Sequence, residues 1–345
     1  MAGPTPTPPQ SYLDLVAACD NFQPTKSSEI LTSWRLAPSS SSPVIGLLRP
    51  PIVTQLLLEN ASAPEGKRPW KFTPGDKPTL SFAQWADTPA ARSQVMRDML
   101  ERWRDGGLWA DVIGPAKWRG EMYPVYRNPF GRNDAPLDEP EGEGAGHNYA
   151  FRMERAACAL FGVVTYGVHM SVYLEDPAEG YKVWVPKRAK TKQTWPGYYD
   201  NSVAGGIPAG LGVFESLVKE SMEEASIAEE VVREHAKSVG SISYFFSTSQ
   251  GWLQPEIEYL YEIRIPTNVD PVAFQPKPLD GEVESFELLT VPDVINRMRT
   301  GMFKTNCAGA LVDFFIRHGY ITPDNEPDFQ EIITRLHGRF EYEKW

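Results

Sequence analysis

The sequence predicts a mixed α/β (α+β) protein built from more than one domain, on three observations. At 345 residues the chain exceeds one typical domain. Its texture changes along its length: helical spacing of apolar residues marks stretches before residue 105, and alternating Val, Phe and Tyr set in near residue 156. A glycine-rich turn, Gly205-Gly206-Ile207-Pro208-Ala209-Gly210, leads into an amphipathic helix with strand-like segments on either side. A hydrophobic content of 41%, with 10 Trp, is enough to bury a large core.

Taken in order, residues 1–10 are Pro-rich and expected to be disordered. Residues 12–22 read as a short helix, and the serine run at 38–43 as a flexible loop. Pro50-Pro51 opens a helix over 52–58. Val95, Met96, Met99, Leu100 and Trp103 recur at helical spacing over 90–104, which Gly106-Gly107 ends. Residues 122–126 form a strand. The acidic Gly/Pro-rich stretch 131–147 has no apolar periodicity and is read as a domain boundary or long loop. Strands are then expected within 156–174 and over 182–186, 241–247, 256–265 and 286–290, with a turn at Gln250-Gly251-Trp252. Helices are expected over 291–299, 307–318 and 329–336.

Charge and cysteine usage narrow the function classes. A net charge of −11 argues against nucleic-acid and anionic-membrane partners. An anionic substrate must therefore meet a local basic patch, and Lys187-Arg188-Lys190-Lys192 is the cluster that stands out. Arg188 suits bidentate phosphate contact, Lys187 and Lys192 point-charge contact. Cys19, Cys158 and Cys307 are too few and scattered for a disulfide framework or zinc site, which implies a reducing compartment. No apolar run spans a bilayer, and the N-terminus has neither a signal nor a transit pattern, so a cytoplasmic protein is expected.

On the central helix, Glu220, Glu223 and Glu224 stand at i, i+3 and i+4 and share a face. Phe214, Leu217, Val218, Met222 and Ala225 are assigned to the opposing, core-facing stripe. Three converging carboxylates want a hard divalent cation, magnesium or manganese. Such an ion can clamp a diphosphate while water attacks phosphorus. Gly205 and Gly206 serve either positive φ or close approach of backbone to ligand. Trp195, in a polar loop, is the aromatic least suited to a core. The five histidines are scattered and read as structural or surface groups.

This pattern resembles the Nudix box. The opening glycine is Gly205, the central glutamate Glu220, the paired glutamates Glu223 and Glu224, and the closing aliphatic Ile227. Leu211, Lys219, Ser221 and Ser226 depart from it, standing where the box has Glu, Arg, an aliphatic residue and Gly. The resemblance implies a Nudix α/β/α sandwich with a mixed sheet, metal held by Glu220, Glu223 and Glu224, and a further oxygen ligand from the Ala204 carbonyl. Glu220 is alternatively the acceptor of the water proton. The resemblance also implies a distal carboxylate that completes the metal site or supplies a base from a later strand or loop, for which Glu256, Glu258 and Glu282 are the candidates and Glu282 the first choice.

A longer similarity covers roughly residues 30–340. It rests on segments such as Val183-Trp184-Val185-Pro186-Lys187-Arg188, Gln254-Pro255-Glu256, Asp280-Gly281-Glu282 and Lys304-Thr305-Asn306-Cys307. It is to a Nudix branch with a smaller mixed α/β domain ahead of the Nudix part, fused to thiamine pyrophosphokinase in some fungi. The implied division is a tail at 1–10, an accessory domain at 11–145, a Nudix domain at 146–310 and a helical extension at 311–345. The implied activity is hydrolysis of thiamine diphosphate and its damaged analogues, oxythiamine and oxothiamine diphosphate, to monophosphates. The expected partner is a small-molecule diphosphate, and oligomeric state is left open. The alternatives are hydrolysis of another nucleoside-diphosphate-linked compound, a catalytically weak Nudix binding module, and an isoprenoid-diphosphate isomerase, for which Cys158 lacks the required His-rich company.

Overall fold

The computed structural model describes residues 3–134, 147–267, 269–279 and 281–340. In chain order, helix α1 (Tyr12–Cys19) precedes β1 (Thr32–Arg35), β2 (Val44–Leu48), α2 (Pro50–Ser62), β3 (Trp70–Thr73), β4 (Thr79–Phe82), α3 (Pro89–Asp105), α4 (Ala110–Ile113), β5 (Met122–Tyr126), β6 (Tyr149–Glu154) and α5 (Cys158–Phe161). Then come β7 (Thr165–Asp176), β8 (Gly180–Arg188), β9 (Val203–Gly206), α6 (Val213–Ala225), α7 (Glu229–His235), β10 (Lys237–Ser247), β11 (Leu253–Arg264), β12 (Val283–Thr290), α8 (Val291–Arg299), α9 (Thr305–Arg317) and α10 (Phe329–Leu336).

The first module builds its core from aromatic residues that the strands and α3 turn inward. Its four-stranded sheet runs β2-β1-β4-β3. Trp34, Phe82, Trp103, Phe151 and Phe161 are fully buried, and Trp34 packs on Phe161 with ring centroids 5.1 Å apart. Helix α3 starts cleanly because the Thr88 hydroxyl accepts from the Ala91 N–H and Pro89 lacks the donor that a first turn cannot use. Trp252, from the β10–β11 turn, joins this core, and Arg49 covers its ring at 5.2 Å.

The second module is a six-stranded mixed sheet in the order β10-β11-β7-β8-β12, with β9 also on β7. Strand β7 pairs in parallel with β11 along one edge; its other edge is shared by β9 at Gly167–Met170 and β8 at Tyr173–Asp176. That split leaves β9 short and exposes its free edge to α6. Helices α1, α8, α9 and α10 share one hydrophobic core with the sheet, while α6 and α7 share the other. This is the expected helix–sheet–helix sandwich behind a smaller mixed module.

Several expectations shift. The boundary near residue 145 falls between β5 and β6, a paired ladder whose side chains join the first core; residues 135–146 themselves lie outside the described residues. Helix α1 packs in the second module's core through Leu15, Val16 and Cys19. The expected break at 310 falls inside α9. Of the tail expected to be disordered, residues 3–10 run along the protein surface, where the Thr7 and Gln10 amides donate to the carbonyls of Thr300 and Arg299. The glycine stretch begins as strand β9 rather than as a turn. Met222 is exposed; the buried face of α6 uses Ser216 and Ser221, whose hydroxyls donate to the carbonyls of Gly212 and Leu217.

Candidate active site

The edge of β9 and the C-terminal half of α6 bring the acidic residues together. Gly205 and Gly206 have no positive φ, so close approach is what requires glycine at both positions. A Cβ on Gly205 would stand 2.2 Å from Glu220 Cγ, and one on Gly206 would stand 1.5 Å from the Tyr123 hydroxyl. Gly205→Ala is expected to destabilise by about 1–3 kcal/mol and, by displacing Glu220, to cut turnover roughly 100-fold. Thermal unfolding and phosphate release check this; unchanged turnover would remove any fixed role for the Glu220 position. Ser226, where the box has glycine, takes the left-handed conformation (φ 52°) and closes α6 through its amide to the Ser221 carbonyl. The departure in residue type therefore keeps the backbone shape.

The carboxylates differ in environment. Glu223 is exposed and pairs with Lys219 at 2.9 Å; the same ammonium lies 3.3 Å from Glu220. Burial raises the Glu220 carboxyl, partly opposed by Lys219. Glu224 is pushed up to about 8 by burial, then by Asp200 and Glu220. It hydrogen-bonds Glu282, which burial would raise but which Lys192 and this bond hold below the ordinary value. The Ala204 amide stands 3.5 Å from Glu224 Oε2. Among the described residues, no three acidic, imidazole or thiolate groups are placed to hold a metal jointly. Instead, an ammonium neutralises two of the box carboxylates, and the third, Glu224, hydrogen-bonds Glu282. Both arrangements are ones a divalent cation can displace, and the donors are all hard oxygens, so the residues fit such an ion in chemistry.

The basic cluster read from the sequence is largely spoken for. Arg188 is buried and donates to Asp200 Oδ2 at 2.6 Å and to the carbonyls of Thr194 and Trp195 at 3.1 and 3.2 Å. It holds the 194–200 loop. Lys192 pairs with Glu282, and Lys187 lies 3.7 Å from Glu284. Trp195 itself is half-buried at φ 52° and stacks edge-on against Tyr198 at 4.9 Å.

Beside this edge, between the two modules, lies a cavity of about 290 Å³. The Nudix-like half contributes Trp195, Gly205, Gly206, Gln254, Glu256, Glu258 and Lys304; the first module contributes Arg119, Tyr123 and Arg155. Glu256 and Glu258, two apart on β11, face it together. The Tyr244 hydroxyl hydrogen-bonds both, Glu258 Oε1 at 2.9 Å, and Asn306 donates to that oxygen at 3.2 Å. Burial and the Glu258 charge raise Glu256. Burial opposes ionisation of Glu258, yet His169, 3.6 Å away, and Lys304 hold it low. His169 is kept protonated despite burial, chiefly by Glu258, and its Nδ1 hydrogen-bonds Asn201 Oδ1 at 2.5 Å. This histidine belongs to the site wall, a role its sequence context did not signal. Glu258 Oε2 and the Tyr123 hydroxyl are buried and without hydrogen-bond partners among the described residues. Two of the quoted sequence segments, Gln254 to Glu256 and Lys304 to Asn306, thus line one cavity together with Thr194 and Trp195. Arg119, Tyr123, Arg155 and Lys304 were not read as site residues; the only signal was membership of Lys304 in a quoted segment.

No helix among the described residues is long and apolar enough to cross a membrane. Residues 165–307 match the family model described as NUDIX domain. The chain is 42% identical over 246 residues to the Saccharomyces cerevisiae protein named uncharacterized protein YJR142W, covering 68% of this chain and 65% of that one. It is 34% identical over 253 residues to Nudix hydrolase 20, chloroplastic, and 37% identical over 251 residues to Nudix hydrolase 24, chloroplastic, both of Arabidopsis thaliana. Those matches cover 73% and 72% of this chain, and 59% and 60% of the two relatives, so the chain spans under two thirds of the proteins it resembles. Carboxylates on α6, the glycines of β9 that admit them and the matched segment agree: the chain carries a NUDIX domain and is a member of the Nudix superfamily.

Proposed function

We propose that the chain is a divalent-metal-dependent diphosphohydrolase that cleaves thiamine diphosphate and its oxythiamine and oxothiamine analogues to monophosphates. The observation that carries the reading is that β9, which packs against the box residue Glu220, also lines a cavity walled by two buried carboxylates and by aromatic rings. A flat heteroaromatic cation is favoured by Glu256 and Glu258 and by the faces of Trp195 and Tyr123, at about 0.5–2 kcal/mol per good ring contact. The two plant relatives are named as Nudix hydrolases, which supports hydrolysis.

Glu220, Glu223, Glu224 and the Ala204 carbonyl would hold magnesium or manganese, which when bound supplies a Lewis acid against the phosphoryl oxygens and a more acidic water. Water adds to phosphorus, the bridging P–O bond breaks, and a carboxylate, Glu282 or Glu220, accepts the water proton. Trp195 and the β9 glycines hold the substrate against that edge, Gly205 and Gly206 by admitting Glu220 and Tyr123 close beside it. Three free, buried cysteines support a reducing compartment such as the cytoplasm.

The test offers the purified chain, with magnesium, oxythiamine diphosphate, thiamine diphosphate, ADP-ribose and a sugar nucleotide, following monophosphate release. The thiamine-type compounds are expected to exceed the others by at least about 10-fold in kcat/KM. Cleavage of ADP-ribose with the thiamine compounds ignored overturns the substrate assignment. Tight binding without turnover of any compound would make the chain a binding module.

A further inference from the structure

The carboxylate-rich edge needs positive charge to receive a diphosphate, and the Nudix half has little to spare. Arg188 is committed to Asp200 and two carbonyls, Lys192 to Glu282, Lys187 to Glu284, and Lys219 to Glu220 and Glu223. Lys304 sits among Asp200, Glu256 and Glu258 and balances them. His169 is committed to Glu258, 3.6 Å away, and the remaining cations at the cavity come from the other module. Arg119 follows α4, and its guanidinium has no ion-pair partner among the described residues. Arg155 follows β6 and pairs with Glu121 at 2.8 Å. The Arg155 Cζ lies 3.5 Å from where a Cβ on Gly206 would stand, which sets Arg155 against the β9 edge. Both arginines line the cavity; partial burial and then Arg155 disfavour the charge on Arg119, partly opposed by Glu121 and Glu282. Arg119, beside the paired Arg155 at the mouth of the cavity, is a cation that an anion would complete.

A second observation points to a ligand at the same place. The Tyr123 ring lies under Arg155 at 4.9 Å, and its hydroxyl rests against Gly206. That side chain is 3% exposed and its hydroxyl has no partner among the described residues, although it lines the cavity. A buried hydroxyl without a partner costs about 1–3 kcal/mol unless something reaches it.

We infer that the first module is part of the active site: Arg119 and Arg155 form the clamp for the substrate's diphosphate, and the Tyr123 hydroxyl gives it a third hydrogen bond. This deepens, and rests on, the reading of the site as one for diphosphates; it does not depend on the thiamine part. The arginine forks bind the phosphoryl oxygens bidentately from the first module, so the diphosphate is held between its positive charge and the metal-binding edge of the other.

The test uses the full chain and inorganic pyrophosphate, measured by titration calorimetry with and without magnesium, alongside steady-state kinetics. Arg119→Ala is expected to weaken pyrophosphate binding at least about 10-fold and to raise KM similarly for every diphosphate substrate, with kcat within about twofold. Arg119→Lys should recover part of the loss. Arg155→Ala should behave alike, and Glu121→Gln, which breaks the same ion pair but keeps both arginines, should not. Native pyrophosphate affinity in both arginine variants overturns the clamp, as does equal loss in Glu121→Gln. Pyrophosphate binding that depends on Arg119 in a chain that hydrolyses no diphosphate would uphold the clamp and remove the hydrolase reading instead.

Discussion

Glu224→Gln is expected to melt higher than the native chain at pH 8 without metal, and yet to lose at least about 100-fold in turnover, since a ligand to a catalytic cation stands for several kcal/mol of barrier. The stability half follows from the environment of Glu224, pushed up to about 8 by burial and then by Asp200 and Glu220. A carboxyl raised above its unfolded value contributes stability that is fully present below about pH 4.5 and is lost as pH rises through 8. At pH 8 the native chain has therefore forfeited on the order of a few kcal/mol that the neutral amide keeps. Magnesium should erase the difference by giving the ionised carboxylate a partner, stabilising the native chain more at pH 8 than at pH 5.5 and the variant at neither. Thermal unfolding across pH, with chelator and with magnesium, reads all of this. A variant that melts lower than the native chain at pH 8 would mean Glu224 is already ionised and paired, and the metal assignment would fall with it.

Lys304→Met is expected to destabilise the fold by about 3–5 kcal/mol at pH 7, the cost of leaving buried carboxylates without their counter-charge. Burial opposes ionisation of Asp200, but Lys304 and Arg188 outweigh it and hold that carboxyl well below the usual range. Lys304 is also among the charges that hold Glu258 low. A depressed carboxyl adds stability that is present above its unfolded value and disappears as pH falls through the folded one. The native chain and the variant should therefore differ most at neutral pH and converge as the medium becomes acidic. Lys304→Arg, which keeps the charge, should lie close to the native chain. Urea unfolding at pH 7 and at about pH 2.5, inside the window where these carboxyls protonate, decides it; an equal deficit at both values would mean that Lys304 matters for packing and not for charge.

Much of this site could be read along the chain because helix periodicity is local. The spacing of Glu220, Glu223 and Glu224 places three acidic side chains on one face of α6 whatever surrounds them. The same locality misled at Met222. Apolar type suggested the core, whereas the orientation of α6 on the sheet buried Ser216 and Ser221, which can satisfy their hydroxyls within the helix. The strands of the first sheet went unread because each is only four or five residues long, too short for an alternation to register.

Charge partners were beyond reach for another reason. Lys187, Arg188 and Lys192 stand out in the acidic sequence, but only folding brings Asp200, Glu284 and Glu282 against them. Composition and spacing determined by themselves that a carboxylate helix follows a glycine-rich stretch in an α/β chain, because those features depend on neighbours a few residues away. Tertiary structure alone decided that Arg119, Tyr123 and Arg155 meet Glu258 and Lys304 across one cavity. Side chains separated by more than a hundred residues become neighbours only when sheets pair and cores close, and no short-range pattern encodes that meeting.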